Sequence, residues 1–419
     1  MKTLINKSCS RLMIALAIWS PLLAHGEDWP RWRGPRGDGS WQAPPLPKEW
    51  PQGGLNKLWS QPVGGGYAGV IAVGDSVFTM DRQGDPKEVE RVISLNAQDG
   101  SRRWVQEYAV EYGDLDYGNG PRAAPTYHQG RIYTLGAVGH VCCFNAVDGK
   151  LIWTHDTVKD FKARLPMWGF AASPLVYQDL VIVHVGAVPN ASLMALDAES
   201  GQPRWRALQD EAGYAMPILI EVDGQHQLVC WTAEGIHGVL PENGTVLWSQ
   251  PYKSTYGVAI ATPIFREGML LVSGYWEGTM AIRIGPQRGD VKIVWEENRQ
   301  LRGLMSQPLY REGQVFMIDK KFGLTGFQMS TGSKRWDAEN QMTPKGRNPQ
   351  ASMVWLGDSD RAIILNSSGE LLLARLTPDG YVEESRTKII EKTWAHPAYA
   401  GTCIYARSDT EIVAYSLVD

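Results

Sequence analysis

The sequence predicts an all-β fold, an eight-bladed β-propeller of four-stranded blades, and three observations carry that prediction. The first is a repeated turn. Asp99-Gly100, Asp148-Gly149, Ser200-Gly201, Asn243-Gly244 and Thr331-Gly332 are each followed, four residues after the glycine, by a tryptophan: Trp104, Trp153, Trp205, Trp248 and Trp336. Gly289 with Trp295 is a looser copy, and Asp379-Gly380 is a copy without the tryptophan. The second is the period. These seven glycines are separated by 49, 52, 43, 45, 43 and 48 residues, which is the length of a propeller blade. The third is the order inside each unit. A short apolar segment opens near a proline, as at Ala124-Pro125, Ser173-Pro174 and Gln307-Pro308. A tight turn and a β-branched or aromatic segment follow, then a Gly-containing loop, a third apolar segment, and the Gly turn that leads into the Trp strand. Four short strands with tight turns and no helical periodicity make a blade.

The blade count follows from length. Leu55 to Asp419 is 365 residues, about 7.8 periods of 47. The last unit, from His396 to Tyr415, stops before a fourth strand, whereas Lys57-Leu58-Trp59-Ser60 is a Trp strand with no three before it. Joined, they complete an eighth blade and close the ring with the two ends of the chain; seven blades is the alternative count. The outer-strand tryptophans are expected to be structural, with rings between blades and N–H groups hydrogen-bonded.

The first 26 residues read as an export signal. Lys2, Lys7 and Arg11 precede an apolar run from Leu12 to Ala24, and Ala24-His25-Gly26 places small residues before a cut at Glu27. That run of about 13 residues is short of the roughly 20 a membrane span needs; an uncleaved N-terminal anchor is the alternative. The expected organisation is therefore signal peptide 1–26, N-terminal extension 27–54 and propeller 55–419, in the periplasm or secreted. The formal net charge is −4, or −7 once the three signal cations are removed, which disfavours nucleic acid as the partner. Cys142, Cys143, Cys230 and Cys403 are too sparse for a disulfide-stapled scaffold.

The run Ala195-Leu196-Asp197-Ala198-Glu199-Ser200-Gly201-Gln202-Pro203-Arg204-Trp205 resembles the repeat of the pyrroloquinoline-quinone-type propellers, and Asn145 to Trp153 is a second copy. The resemblance covers about 55–419. That family includes quinoprotein alcohol dehydrogenases, the lipoprotein scaffold of outer-membrane protein assembly and secreted bacterial propellers. The opening Trp29-Pro30-Arg31-Trp32-Arg33-Gly34-Pro35-Arg36-Gly37-Asp38-Gly39 is similar to the N-terminal signature of the last group. Its aromatic and Arg side chains are expected to pack across the ring surface. The dehydrogenase branch implies adjacent cysteines closed into a disulfide over the quinone, and a Glu/Asn/Asp calcium set. Cys142-Cys143 is adjacent but lies inside a third strand, where alternation sends the two sulfurs to opposite faces. No calcium set is recognisable by motif.

Other catalytic signatures are missing from the sequence. It has no His-Glu-x-x-His, Cys-x-x-Cys, Gly-x-Ser-x-Gly or phosphate-loop Gly-Lys-Ser/Thr. Its eight histidines are scattered, without metal-ligand spacing. Arg36-Gly37-Asp38 resembles an adhesion tripeptide but sits in a Gly/Pro-rich turn.

A binding site is expected where the loops that enter the first strands converge on the axis. These loops carry aromatics beside glycine, among them Trp168 and Tyr214, and the cations Arg122, Arg302 and Arg347. Loops between second and third strands add Lys320 and Lys321. Asp114, Asp116, Glu234, Glu277 and Asp319 partly offset the positive charge. The arginines are expected to anchor an anion, their planar forks suiting carboxylate or phosphate, while the aromatics give stacking area. The expected function is an exported, non-catalytic binding or scaffold propeller presenting this funnel to a protein, a peptide or a small anionic ligand, with no cofactor. The alternative is a pyrroloquinoline-quinone-dependent alcohol or sugar oxidoreductase, with calcium.

Overall fold

The computed structural model describes residues 26–84, 87–113 and 115–418. The predicted export signal therefore lies, apart from Gly26, outside the described residues. Blade one consists of strands Ile71–Val73, Ser76–Gln83, Val89–Asn96 and Arg102–Ala109, in that order from axis to rim. Blades two to seven repeat the antiparallel order and end in the outer strands Leu151–Asp156, Pro203–Ala207, Val246–Pro251, Val291–Glu297, Lys334–Asp337 and Gly380–Lys388. In blade eight the chain supplies Ala398–Ala400, Cys403–Arg407 and Glu411–Ser416, and the outer strand is Lys57–Pro62 from the other end. Trp59 sits opposite Ala414 in that closing pair, so the ring is the predicted eight-bladed one. Helix is confined to one short α-helix, Thr157–Phe161, and one 3-10 turn among the described residues. None of it is long and apolar enough to cross a membrane.

The Gly–Trp repeat has a packing cause. At five seams, those of Trp59, Trp104, Trp153, Trp205 and Trp295, the outer-strand indole lies over the turn glycine of the next blade and donates to a backbone carbonyl beside that turn. Trp59 bonds the Ala97 carbonyl at 2.9 Å, Trp104 that of Ala146 at 3.1 Å, Trp153 that of Ala198 at 3.2 Å and Trp205 that of Pro241 at 2.9 Å. Trp248 departs from the pattern and bonds Gln227 Oε1 of its own blade at 2.8 Å. Gly149 illustrates the constraint. Its φ is +72°, and an added Cβ would lie 2.5 Å from the Trp104 ring. Gly149→Ala should therefore lower stability by roughly 1–3 kcal/mol through strain and displacement of the indole. Urea unfolding of the variant checks this; an unchanged midpoint contradicts it.

Strand alternation feeds each blade into two inter-blade cores. Cys142 faces Phe78 and Trp104 on one side, while Cys143 faces Val181 and Trp153 on the other. Burial pushes both thiols up to about 12, so they are inert packing groups.

The segment before the ring crosses it. Trp29 exchanges backbone hydrogen bonds with Ala72 of blade one, and the Pro30 carbonyl accepts from Tyr127 of blade two. Arg33 Nη2 then reaches the Pro308 carbonyl at 2.7 Å, beside blade six. Finally Ser40–Trp41 adds a parallel fifth strand to the inner edge of blade seven. Both charged ends of the Arg36-Gly37-Asp38 tripeptide are engaged internally, Arg36 by Glu27 and Asp38 by Arg266.

Candidate functional site

First strands begin at the axis, so the loops that enter them surround one mouth of the ring. They enclose a cavity of about 410 Å³. Its wall is aromatic before it is charged. Tyr67, Trp168, Tyr214, Tyr256 and Trp394 come from five different loops, and Tyr275-Trp276 from the second-to-third-strand loop of blade five. Met167, Met216 and Met305 fill between the rings, adaptable apolar surface beside rigid aromatic faces. The aromatics expected beside the cations supply most of the wall, and several of the rings, Tyr256 and Trp276 among them, are open to water.

The floor is Trp32 of the crossing segment. Its ring stacks on His396 with centroids 4.3 Å apart, and its Nε1 donates to Thr262 Oγ1 at 3.0 Å. Burial, helped by the nearby Arg33 charge, drops the His396 imidazole to about 3, so the floor is neutral at ordinary pH. The funnel is thus closed at its lower end.

Over the mouth, Tyr117 projects from the long connection between blades one and two, with a left-handed backbone φ of 65°. Its hydroxyl accepts from Asn348 Nδ2 at 3.0 Å and its ring lies 5.6 Å from that of Trp394. Tyr67 donates from its hydroxyl to the Tyr117 carbonyl. This connection is therefore fastened to loops of blades one, seven and eight.

Of the residues expected from sequence, Arg122, Trp168, Tyr214 and Arg347 line the cavity together. Arg122 is a clamp as well as a charge. It donates to the carbonyls of Gly118 at 2.6 Å, Asp116 at 3.3 Å and Gly120, and sits 5.6 Å over the Tyr67 ring. No carboxylate pairs with it among the described residues, and burial lowers its pKa. Arg347 is exposed, with no hydrogen bond or ion pair among the described residues. Burial pushes the Tyr214 hydroxyl up to about 12.

Arg302, Lys320 and Lys321 do not line the cavity. The cause is Asp319, whose buried carboxylate accepts from the backbone N–H groups of Arg302 (2.6 Å), Lys321 (2.7 Å) and Phe322 (2.9 Å). That knot ties the two loops to each other and fixes where their side chains leave the backbone. Lys320 lies over Tyr275 at 4.2 Å, supporting a ring of the wall from behind, and Lys321 lies over Phe322 at 4.9 Å. Of the expected offsetting acids, Glu234 pairs with Lys253 and Glu277 accepts from the Thr255 backbone. Asp116 lines the cavity, and Asp114 lies outside the described residues. The sequence reading missed Trp32 as the floor and Tyr117 as the cover.

Beside the mouth, a trough of about 990 Å³ runs between the loops of blades seven and eight. Lys345, Arg347 and Lys392 face it together with Asp116, Glu391 and Asp409. The funnel and trough share Tyr67, Tyr117, Arg347 and Trp394, so an elongated ligand can occupy both.

The vicinal disulfide implied by the resemblance does not fit Cys142 and Cys143. Cys142 and Cys143 are free, buried and on opposite faces of blade two, away from the funnel lining. Among the described residues no group of three or more His, Cys, Asp or Glu side chains could hold a metal ion.

Three comparisons with known proteins bear on this chain. The family model described as outer membrane protein assembly factor BamB matches residues 88–338. A quinohemoprotein alcohol dehydrogenase, ADH IIB of Pseudomonas putida, is 32% identical over 105 residues, spanning 22% of this chain and 14% of that relative's length. Among solved structures, BamB from Moraxella catarrhalis superposes with a TM-score of 0.59 at 16% identity, covering 86% of this chain and 99% of its own. Quinohemoprotein alcohol dehydrogenase from Comamonas testosteroni gives a TM-score of 0.64 at 12% identity, with 93% and 80% covered. At these identities the structural likeness establishes the fold alone.

Proposed function

The chain belongs to the family described as outer membrane protein assembly factor BamB, and from that premise we propose that it is an exported binding or scaffold propeller without catalytic chemistry of its own. Its funnel captures an extended peptide carrying aromatic and acidic side chains. The observation that carries this reading is the aromatic-walled funnel, closed below by Trp32 and open sideways into the trough, with Arg347 unpaired at their junction. Aromatic faces give stacking area to flat or apolar side chains. An unpaired guanidinium at a partly dry mouth favours a carboxylate.

The test is a peptide-array screen of the purified chain, followed by titration of the best peptide into wild type, Trp168→Ala and Arg347→Ala. Each variant should weaken binding about tenfold, equivalent to about 1.4 kcal/mol. The loss at Arg347 should be larger at low salt, where screening is least. Peptide binding unaffected by both variants contradicts the reading. In parallel, the chain mixed with pyrroloquinoline quinone and Ca²⁺ should neither bind the quinone tightly nor oxidise alcohols with a dye acceptor. Turnover in that assay overturns the proposal in favour of the oxidoreductase.

A further inference from the structure

The crossing segment does more than floor the funnel. Its arginines point to a second cavity, further along the first strands of blades three to seven, of about 360 Å³. The cavity's aliphatic wall includes Leu175, Ile218, Leu219 and Ile264. Arg31, Arg33, Arg36 and Arg266 also line it, an uncommon density of guanidinium groups beside apolar surface.

Two of the four are neutralised. Arg36 pairs with Glu27, and Arg266 pairs with Asp38 at 2.9 Å. The other two have no carboxylate partner among the described residues. Arg31 donates Nε and Nη2 to the single carbonyl of Pro35, at 3.2 and 2.8 Å. Arg33 is 6% exposed and donates Nη2 to the carbonyls of Asp38 and Pro308, both at 2.7 Å. Its Nε and Nη1 are buried without a hydrogen-bond partner. Glu221 at the cavity edge is engaged by His226 at 3.6 Å, and the Asp38 carboxylate is also held by the Ser40 backbone and hydroxyl. The Asp38 carboxylate attracts both guanidinium groups without bonding either, and a buried guanidinium with vacant donors is unfavourable by itself and favourable once an anion meets it. The aliphatic wall selects among anions, because a strongly hydrated phosphate gains nothing from it whereas an alkyl chain does.

We propose that this lower cavity binds a carboxylate-headed apolar ligand, its head at Arg31 and Arg33 and its chain along Leu175, Ile218, Leu219 and Ile264. The site shares Met216 with the funnel and is otherwise lined by different residues. A free fatty acid and a peptide C-terminus ending in an aliphatic residue share this chemistry.

The experiment is calorimetric titration of the full chain with octanoate, octanamide, inorganic phosphate and the dipeptide acetyl-Leu-Leu as free acid. Octanoate should bind saturably, and octanamide, which lacks the charge, at least about tenfold more weakly. Arg33→Gln should weaken octanoate about tenfold. Because Arg33 also holds two carbonyls, Leu219→Glu is the companion variant. Leu219 is 40% exposed, so the change is tolerated by the fold, and the introduced carboxylate competes for the arginines and suppresses octanoate binding. Arg347→Ala in the funnel should leave it intact. Tighter binding of the dipeptide assigns the source to a peptide C-terminus and tighter binding of octanoate to a free acid; both uphold the site. Equal binding of acid and amide, binding of phosphate alone, no binding, or octanoate binding indifferent to both cavity variants overturns it.

Discussion

Trp59→Ala should lower the free energy of unfolding by roughly 3–5 kcal/mol and should loosen blade eight before the rest of the ring. Trp59 is 6% exposed, and its indole packs over Gly100 of blade one, where an added Cβ would lie 2.6 Å from the ring, while bonding the Ala97 carbonyl. Tyr405 also bonds that carbonyl and stacks near Trp59, with centroids 5.9 Å apart. The ring closes where Lys57–Pro62 pairs with the sequence-distant Glu411–Ser416, and Trp59 and Tyr405 pack that closing blade against blade one. In blades one to seven the four main strands are consecutive in the chain, which limits their separation when a seam weakens. Here the closing strand continues through residues 63–70 into blade one, but it is held to the rest of blade eight only by pairing with Glu411–Ser416, and Trp59 packs that pair against blade one. Trp104→Ala removes the same side chain from a seam between consecutive blades and is the control. Both variants should lose comparable stability, but only Trp59→Ala should speed hydrogen exchange selectively in residues 411–416. Identical exchange patterns in the two variants would mean that the closure seam is no weaker than the others.

The same seam explains why the fold was readable. A repeated Gly and Trp at fixed spacing is the trace of one contact, indole on the next blade's turn, made at five of the seams. Trp59 without its three preceding strands marked the closure for the same reason. The site was readable where geometry alone decides direction: Arg122, Trp168, Tyr214 and Arg347 sit in loops that open on the axis. It was not readable at Arg302, Lys320 and Lys321, because Asp319 gathers three backbone N–H groups there, and no pattern in the sequence announces that knot. The segment Trp29–Gly39 stood out by composition. Its route across the ring depends on pairing with Ala72 and blade seven, contacts between residues far apart in the chain. Three of the five expected cations come from loops whose side chains do not reach the cavity, which their place in the sequence could not show.

Glu90→Ala should cost roughly 3–5 kcal/mol, and Glu90→Gln should reveal a pH dependence carried by one buried carboxyl. Glu90 lies on the third strand of blade one and is fully buried. Its Oε2 accepts from the Tyr108 hydroxyl at 2.7 Å. Its Oε1 accepts from the Tyr112 hydroxyl and from the Ala137 N–H of blade two, each at 2.9 Å. Truncation to alanine strands three buried donors and leaves a cavity between two blades. Burial raises the carboxyl's pKa, against the opposing pull of those three donors and of Arg122. A folded-state value above the unfolded one means that the native protein holds this proton longer than the unfolded chain does. Stability from this group is then full below the ordinary glutamate pKa and declines as pH rises through the folded value, by about 1.4 kcal/mol per pH unit across that window. Glutamine keeps an oxygen for Tyr112 and Ala137 and offers its amide N–H to the Tyr108 oxygen, and it does not titrate. Wild type and Glu90→Gln should therefore lie close together in acid, with the variant gaining relative stability as pH rises. Urea midpoints measured at intervals from pH 4 to pH 9 decide the matter. Parallel profiles for the two proteins would show that Glu90 ionises in the fold as easily as in the unfolded chain, and that burial does not govern it.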